Sequence, residues 1–342
     1  MCDNIFQYMT DSVLYIIGNG FDLFHGVKSS YGSFRKWLQI HDYDTYQTYE
    51  TVCDYDALWS DFETGMAYVS RDFFLESGLA FFPDSKTDPE EWSAADIFLG
   101  GDAALSSAYE LLDKLKKDFH KWVCSLSAPR DYKDKKLYVD DYARFLTFNY
   151  TTFLESHYEI PSSQINHIHG VKTQSWGSLV VGHGEDSSEI FDSWWKSKGY
   201  DKPRYNKKGK KYYKRDAIYR MYRGNTQYLP ENEALTSAVE SYYSDSEKPV
   251  DKILRDNQVY FESLSSIEII YVWGISFSKV DKPYIMKIIE VNADKANLQW
   301  YVSAYSDTDH DRALDSLVSL GIPESNIHFK SMTEFLKSSS FH

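Results

Sequence analysis

The sequence alternates between short apolar runs and longer stretches in which apolar residues recur every three or four positions. The short runs are rich in β-branched and aromatic residues, as buried strands are, and lie at 13–17, 144–148, 166–170, 178–182, 267–272, 298–303 and 327–329. Helical spacing occurs at 30–38, 55–70, 105–123, 282–291 and 310–320. Apolar strands that alternate with helices predict an α/β fold with a Rossmann-like parallel sheet and helices on both of its faces.

The same pattern predicts the domain organisation. A chain of 342 residues could form one large domain or two small ones, and we expect a single α/β domain over residues 1–342. The chain contains no repeat and no low-complexity tract. A helical insertion at about 30–140 separates the first two strands, and a basic, Tyr-rich insertion occupies about 190–260. Residues 81–103 are rich in Asp, Pro, Gly and Ser and are predicted as a loop.

Polar strings that contain glycine or asparagine follow five of the predicted strands. They read G-N-G-F-D at 18–22, F-N-Y-T at 148–151, H-I-H-G at 167–170, G-H-G-E at 182–185 and W-G-I-S at 273–276. The carboxyl ends of parallel strands meet along one edge of a sheet, where ligands bind at the topological switch point. The five strings therefore predict one shared ligand site.

The first string has the residue types of a phosphate-binding turn. Gly18 and Gly20 allow a tight turn and a close approach of the backbone, and a helix beginning near Asp22 would direct its N–H groups at a phosphate. The third glycine of the dinucleotide fingerprint is missing, because Phe24 stands in its place. A strand–turn–helix without a ligand would have much the same residues, so this string alone leaves both interpretations open.

Composition limits the class of protein. The chain carries 37 Lys and Arg against 51 Asp and Glu, and this net charge of −14 argues against general nucleic-acid coating. Cys2, Cys53 and Cys124 form no C-x-x-C pair, so a zinc ribbon is excluded and a disulfide framework is not expected. Neither a signal-peptide core nor an apolar stretch of ~18 residues is present, so we expect a soluble cytoplasmic protein that does not enter the membrane.

These strings resemble those of AbiH-type bacteriophage abortive-infection proteins. The matching segments are I-I-G-N-G-F-D with Ser30–Phe34, W-S-D-F-E at 59–63, T-F-N-Y-T at 147–151, H-I-H-G, G-H-G, Arg223–Thr226, and Gly274–Phe277 leading to Asp281. Together they cover most of the chain. The resemblance implies a bacterial anti-phage protein that responds to a phage-derived trigger, and it leaves open whether the protein is an enzyme.

The order of the motifs more distantly resembles sirtuin-like NAD-binding domains, some of which hydrolyse NAD in defence proteins. This resemblance implies a sirtuin-like sheet that binds NAD or a related nucleotide, and an activity of the NAD glycohydrolase type. Asn149 would touch the nicotinamide ribose, and His169 would lie beside it. The implied nucleotide-binding residues are Gly18, Asn19, Gly20, Phe21, Gly182, His183, Gly274, Ser276 and Asp281.

The chain departs from the sirtuin pattern in three respects. Thr151 stands where an aspartate is expected, and the first turn has Asn-Gly-Phe-Asp in place of Ala-Gly-Ile-Ser. The cysteine pairs of the zinc module are missing, so we expect no zinc and no protein deacylation. These departures bear on which nucleotide is bound more than on the fold.

The candidate catalytic residues suit glycoside cleavage, which passes through an oxocarbenium-like state. Asn149 would orient a water or a ribose hydroxyl through its amide, and His169 would accept a proton at neutral pH. Asp22 would hold a ribose hydroxyl or stabilise the developing charge. Each also has a structural interpretation: Asn149 capping a turn, His169 bonding to a neighbouring loop, and Asp22 capping a helix.

Two further alternatives involve other chemistry. His167 alternates with His169 along its strand, so it is a rival base or, with His183 and Glu185, part of a metal cluster for hydrolysis, although we assign no metal ligand. Residues 191–223 carry 12 Lys or Arg, 3 Asp and nine aromatics, which suits single-stranded nucleic acid. The same segment fits a solvated insertion, or one that docks on the acidic part of another subunit in a homo-oligomer.

Overall fold

The computed structural model describes residues 12–70, 73, 94–129, 135–186, 202–205, 209, 211–213, 240–294 and 297–338. The strands are β1 (Val13–Ile17), β2 (Arg144–Thr147), β3 (Ile165–His167), β4 (Pro203–Tyr205), β5 (Lys211–Tyr213), β6 (Ile269–Trp273), β7 (Gln299–Ser303) and β8 (Ile327–Lys330). The helices are α1 (Asn19–Phe24), α2 (Tyr31–His41), α3 (Tyr43–Val52), α4 (Phe62–Gly65), α5 (Ala94–Ser125), α6 (Phe153–Tyr158), α7 (Val250–Asp256), α8 (Gln258–Glu262), α9 (Lys282–Val291), α10 (Asp307–Ser319) and α11 (Met332–Ser338).

The chain divides into two compact units. Unit 1 comprises residues 1–37, 117–180 and 249–342, and unit 2 comprises residues 38–116 and 181–248. Unit 1 holds a six-stranded sheet, whereas unit 2 holds the antiparallel pair β4–β5. The expected single domain with two insertions stays a prediction.

The sheet of unit 1 is parallel throughout, with the strand order β3-β2-β1-β6-β7-β8. Counted along the chain without the β4–β5 pair, this is the order 3-2-1-4-5-6 of the doubly wound dinucleotide-binding fold. The direction of winding reverses between β1 and β6, which are direct neighbours. The prediction of a Rossmann-like α/β fold is therefore confirmed, and the switch point lies between β1 and β6.

Helices cover both faces of the sheet because strand side chains alternate between two apolar cores. Leu14, Ile16 and Val272 join one core with residues of α9 and α10. Tyr15 and Ile17 join the other core with residues of α1, α6 and α11. Strands buried on both faces account for the continuously apolar runs in the sequence.

Aromatic rings also connect the strands on one face. In five neighbouring strands, from β2 to β8, the register places one ring beside the next, with ring centres 4.9–5.3 Å apart, through Phe145, Tyr15, Tyr271, Tyr301 and His328. Such cross-strand ring pairs stabilise a sheet and fix its register. They use part of the unusual aromatic content of the chain.

Several helices begin where the sequence predicts. The Ser30 hydroxyl accepts from the Ser33 N–H at 3.2 Å and caps α2, as expected from the position of Ser30 before the apolar stripe. Helix α9 spans the predicted residues 282–291. None of the helices in the described part of the chain is both long and apolar enough to span a bilayer.

Two predicted elements are wrong. Residues 178–182 form no strand of the sheet; a 3₁₀ turn at Trp176–Ser178 precedes them, and the apolar run reflects the burial of Leu179 and Val181. Residues 55–70 form turns, the short α4 and a 3₁₀ helix at Met66–Tyr68, and backbone bonds such as Leu58 N–H to Tyr55 O close four-residue turns instead of continuing an α-helix.

Other expected elements are only partly described. Helix α5 begins at Ala94, inside the predicted loop 81–103, whose first part lies outside the described residues. In the described part of the chain, helices α1 to α5 lie between β1 and β2, and the helical insertion itself stays a prediction. Much of the basic insertion also lies outside the described residues.

Candidate functional site at the switch point

The turns after β1 and β6 pack directly against each other through glycine. The Gly18 N–H donates to Trp273 O at 2.9 Å and the Gly20 N–H donates to Gly274 O at 3.0 Å. A Cβ atom on Gly20 would lie 2.7 Å from Gly274 Cα, and Gly274 has the left-handed φ of +70°. The close approach that these glycines allow is thus an approach of two turns of the protein. Their main-chain N–H groups are already hydrogen-bonded.

Asp22 lies in the first turn of α1 and is 1% exposed. Helix α1 begins three residues before the predicted start, with Gly18 as its N-cap, so the alternative in which Asp22 caps the helix is wrong. The Asp22 carboxylate accepts from Asn149 Nδ2 at 2.9 Å and from Thr151 Oγ1 at 2.6 Å. Two of the predicted strings, G-N-G-F-D and F-N-Y-T, therefore meet through this carboxylate.

Burial changes the acidity of this group. Loss of water raises the pKa of Asp22 from 3.8 to about 6, against the opposing effects of the hydrogen bonds from Thr151 and Asn149 and of the nearby Lys172. At neutral pH the carboxyl group is thus mainly ionised. The two groups that donate to it, Asn149 Nδ2 and Thr151 Oγ1, are both uncharged. The site is a buried centre of negative charge.

Asn149 follows β2 and is held in one orientation. Its Nδ2 donates to Gly18 O at 3.1 Å and to Asp22 Oδ1 at 2.9 Å, and both of these oxygens are pure acceptors. The amide nitrogen is therefore identified by its partners, and both of its protons are used. No described residue donates to Asn149 Oδ1, so the side chain can offer a ligand only this acceptor.

Asn19 and Phe21 complete the first turn, and their side chains contact other parts of unit 1. The Asn19 Nδ2 donates to Ser29 O at 3.0 Å, which ties the turn to the loop before α2. The Phe21 ring is buried and stacks on Trp273 with ring centres 5.8 Å apart. In this structure the two residues therefore contribute to packing, and a nucleotide contact from either stays a prediction.

The two histidines of H-I-H-G have different surroundings, although their alternation suggested one shared side. His169 is buried, and its ring makes edge contacts with Phe148 and Tyr284 at centre distances of 5.3 Å and 5.6 Å. His167 instead contacts Asn149 O and Glu155 through its ring nitrogens. In the part of the chain that is described, no three His, Cys, Asp or Glu side chains form a group that could hold a metal ion.

The loop after β6 is closed by Asp281. Its carboxylate accepts from Ser276 Oγ at 3.1 Å and from the Ser278 N–H at 3.2 Å, and the residue precedes α9 as its N-cap. Phe277 within this loop has a φ of +54°, which is uncommon for a residue with a side chain. Gly274, Ser276 and Asp281 therefore belong to one loop at the switch point.

Gly182 and His183 belong to unit 2. The His183 N–H donates to Ser246 O at 2.9 Å, and the His183 Nε2 lies 3.1 Å from Tyr243 O. Since a carbonyl only accepts, Nε2 carries the ring proton. These contacts attach the G-H-G-E string to the segment 243–248, and the predicted ligand role of the two residues stays a prediction.

Sequence reasoning missed other parts of the site. Thr151, noted only as a departure from the sirtuin pattern, is the second donor to Asp22. The buried His25 donates from Nδ1 to Phe21 O at 2.8 Å and accepts at Nε2 from Tyr158 Oη at 2.7 Å. Burial lowers the pKa of His25 from 6.5 to about 4, so the ring is neutral. The only sequence signal for His25 is its position one helical turn after Phe21.

Comparison with known proteins gives one family. Neither the curated proteins nor the solved structures include a match to this sequence. The family described as "Bacteriophage abortive infection AbiH" matches residues 14–304, which include β2, β3, β6, β7 and all of β1 but its first residue, and leave out β8. This match covers well over half of the chain. The chain therefore belongs to the AbiH family of bacteriophage abortive-infection proteins.

Proposed function

We propose that this protein acts in abortive infection by binding NAD or a related nucleotide at the switch point and hydrolysing its N-glycosidic bond. One observation carries the proposal: a buried cluster of Asp22, Asn149 and Thr151 lies where β1 and β2 end. This is the edge at which doubly wound sheets bind nucleotides. Burying a carboxylate also costs free energy, and the packing of the two turns against each other does not require a carboxylate at this position.

Asn149 would supply an acceptor rather than a donor. Because Gly18 O and Asp22 use both amide protons, Oδ1 would accept a hydrogen bond from a ribose hydroxyl or from the attacking water. Such a bond fixes the position of the reacting group, which contributes to catalysis by orientation.

Asp22 would act through its charge. The carboxyl is buried and mainly ionised at neutral pH, and it lies one hydrogen bond from the Asn149 amide. A negative charge in a site with little water favours the positive charge that develops on the ribose as the glycosidic bond breaks. His169 would accept the proton of the attacking water, within the aromatic surroundings given by Phe148 and Tyr284.

The proposal does not depend on a phosphate cradle in the first turn. The N–H groups of Gly18, Gly20 and Phe21 donate to carbonyls of the protein, so a pyrophosphate at this turn would require other donors. Lys172 is a cation whose charge reaches Asp22, and its Nζ donates to Leu126 O. It is the phosphate contact that we would examine first.

The test is the NAD content of infected cells that express wild type, Asn149→Ala or His169→Ala at equal abundance. We expect NAD to collapse in wild type alone, and protection to be lost in both variants. The exposed Asn297→Ala serves as the matched control and should protect like wild type. Protection that survives both site variants would refute this assignment of the site. Protection that requires both residues while NAD stays intact would refute NAD as the substrate and direct attention to another nucleotide.

A second candidate function is binding of single-stranded nucleic acid by residues 191–223. The described part of this segment is the pair β4–β5, which places Arg204 opposite Tyr212 and Lys211 opposite Tyr205. The Tyr205 side chain is 67% exposed and Lys211 opposite it is also exposed, and one aromatic and one basic side chain at the surface support this second candidate. Binding that falls steeply with salt would support this function, and an absence of binding at low salt would exclude it.

A further inference from the structure

A chain of contacts from a second helix reaches Asn149 from its main-chain side. Glu155 in α6 contacts His167 of β3, with Glu155 Oε1 2.8 Å from His167 Nε2. The other ring nitrogen, His167 Nδ1, lies 3.2 Å from Asn149 O. Both side chains are largely buried, with 22% of Glu155 and 11% of His167 exposed. All three residues belong to unit 1.

Hydrogen-bond chemistry fixes the direction of one of these contacts. A main-chain carbonyl only accepts, so His167 Nδ1 carries a proton and donates it to Asn149 O. The second nitrogen is occupied by Glu155. His167 therefore has no free nitrogen with which to act as a base in this arrangement, and its contacts serve the position of Asn149.

We propose that Glu155 and His167 are a positioning pair that fixes the main chain of Asn149 and thereby the direction of its side-chain oxygen. This inference rests on the proposed role of Asn149 in the site. The pair acts through Asn149 and does not itself touch the substrate.

The remaining contacts of Asn149 explain why a main-chain anchor matters. Its N–H donates to Thr147 Oγ1 at 3.1 Å, and its amide protons are held by Gly18 O and Asp22. The carbonyl is the remaining main-chain polar group of Asn149, and its bond to His167 restrains rotation of the peptide that carries it. With His167 in place, the main chain is held on both sides of the Cα atom. Only Oδ1 then remains without a partner among the described residues.

Hydrogen exchange measures this anchoring directly. We would compare wild type, His167→Ala, Glu155→Ala and Glu155→Gln by mass spectrometry, following a peptide that contains residues 147–151. Both alanine variants should exchange in this peptide about tenfold faster, because local opening loses a restraint. Glu155→Gln should exchange within about threefold of wild type, because glutamine can donate to or accept from the imidazole. Glu159→Gln, an exposed carboxylate after the same helix, is the matched control.

The same variants are then tested for protection against phage. A loss of about tenfold or more in the alanine variants, with recovery in Glu155→Gln, would support a positioning role, since small misplacement of an orienting group is costly. Unchanged exchange at 147–151 in folded His167→Ala protein would overturn the inference. An equal loss of protection in Glu155→Ala and Glu155→Gln would also overturn the inference. The exchange result does not involve NAD, so it stands or falls independently of the proposed reaction.

Discussion

Replacing Asp22 by asparagine should make the protein more stable and inactive. The substitution removes a buried charge and keeps the shape of the side chain. Asparagine can also keep both hydrogen bonds, because its Oδ1 accepts from Asn149 and its Nδ2 donates to the Thr151 hydroxyl, which can accept. The polar cluster would thus remain satisfied without an ionised group.

The size of the effect follows from the pKa of Asp22. Burial raises this pKa from 3.8 to about 6, and 2.2 pH units correspond to about 3 kcal/mol. The folded state binds the proton more tightly than the unfolded chain, so stability from this group is fully present below pH 3.8. It is lost as the pH rises to about 6. Asp22→Asn removes this loss, and we expect its free energy of unfolding at pH 7.5 to exceed that of wild type by about 2–3 kcal/mol.

The assay is urea unfolding of wild type and Asp22→Asn at pH 7.5 and pH 4, followed by tryptophan fluorescence. The difference should be large at pH 7.5 and much smaller at pH 4, where the wild-type Asp22 carboxyl is protonated in the folded state and about half protonated in the unfolded chain. Protection against phage should be lost in the same variant, because the negative charge is gone. Equal stability of the two proteins at pH 7.5, or a variant less stable than wild type, would refute the view that the ionised Asp22 carboxylate lowers the free energy of unfolding.

Three further predictions concern the same region. In the Asp22→Asn background, the neutral His25 should dominate the dependence of stability on acid pH. Its pKa is about 4 in the folded state against 6.5 in the unfolded chain, so about 3 kcal/mol of stability is lost as the pH falls from 6.5 to 4. A free energy of unfolding in urea that does not change over this range would contradict the prediction. Gly274→Ala should destabilise the protein by about 3 kcal/mol or more, because its Cβ atom would lie 2.5 Å from Gly20 C and its φ is left-handed. In the control Gly177→Ala, the Cβ atom meets no atom within 4 Å, so the melting temperature should stay unchanged. Thr151→Val should cost about 1.5–3 kcal/mol by removing a donor to a charged group, and recovery in Thr151→Ser, measured by the same unfolding assay, separates this from lost packing.

The sheet could be predicted from sequence because its strands are buried on both faces. Strands β1, β2, β6 and β7 coincide with predicted apolar runs, whereas β3 is the short strand before H-G and β8 alternates apolar and polar residues. The predicted strand at 178–182, which the structure does not contain, has the same apolar pattern. Leu179 and Val181 are buried there without hydrogen-bonding to a neighbouring strand of the sheet. Apolar pattern reports burial directly and strand pairing only indirectly.

The site could be predicted only in outline. That G-N-G-F-D and F-N-Y-T meet follows from parallel strand ends, and the structure brings them together at Asp22. Which atoms meet depends on the register Ile17 to Thr147, which a single sequence does not contain. The H-I-H-G pair shows the same limit. Alternation suggested a shared side for His167 and His169, but β3 ends at His167 and alternation no longer applies beyond it.

The unfavourable features of unit 1 concentrate at the switch point. Asp22 is a buried carboxylate bonded to neutral donors, and Phe277 takes a left-handed φ of +54° without being glycine. Among the described residues, Glu159 is the second residue with a side chain and a positive φ, and it lies at the C-cap of α6, where a left-handed conformation commonly ends a helix. Strain and buried charge persist where the surrounding structure enforces them, and in natural proteins they gather at sites of function. If Asp22→Asn is both more stable and unable to protect, packing cannot be the reason for the carboxylate, and the cluster around it is the part of the fold that serves defence.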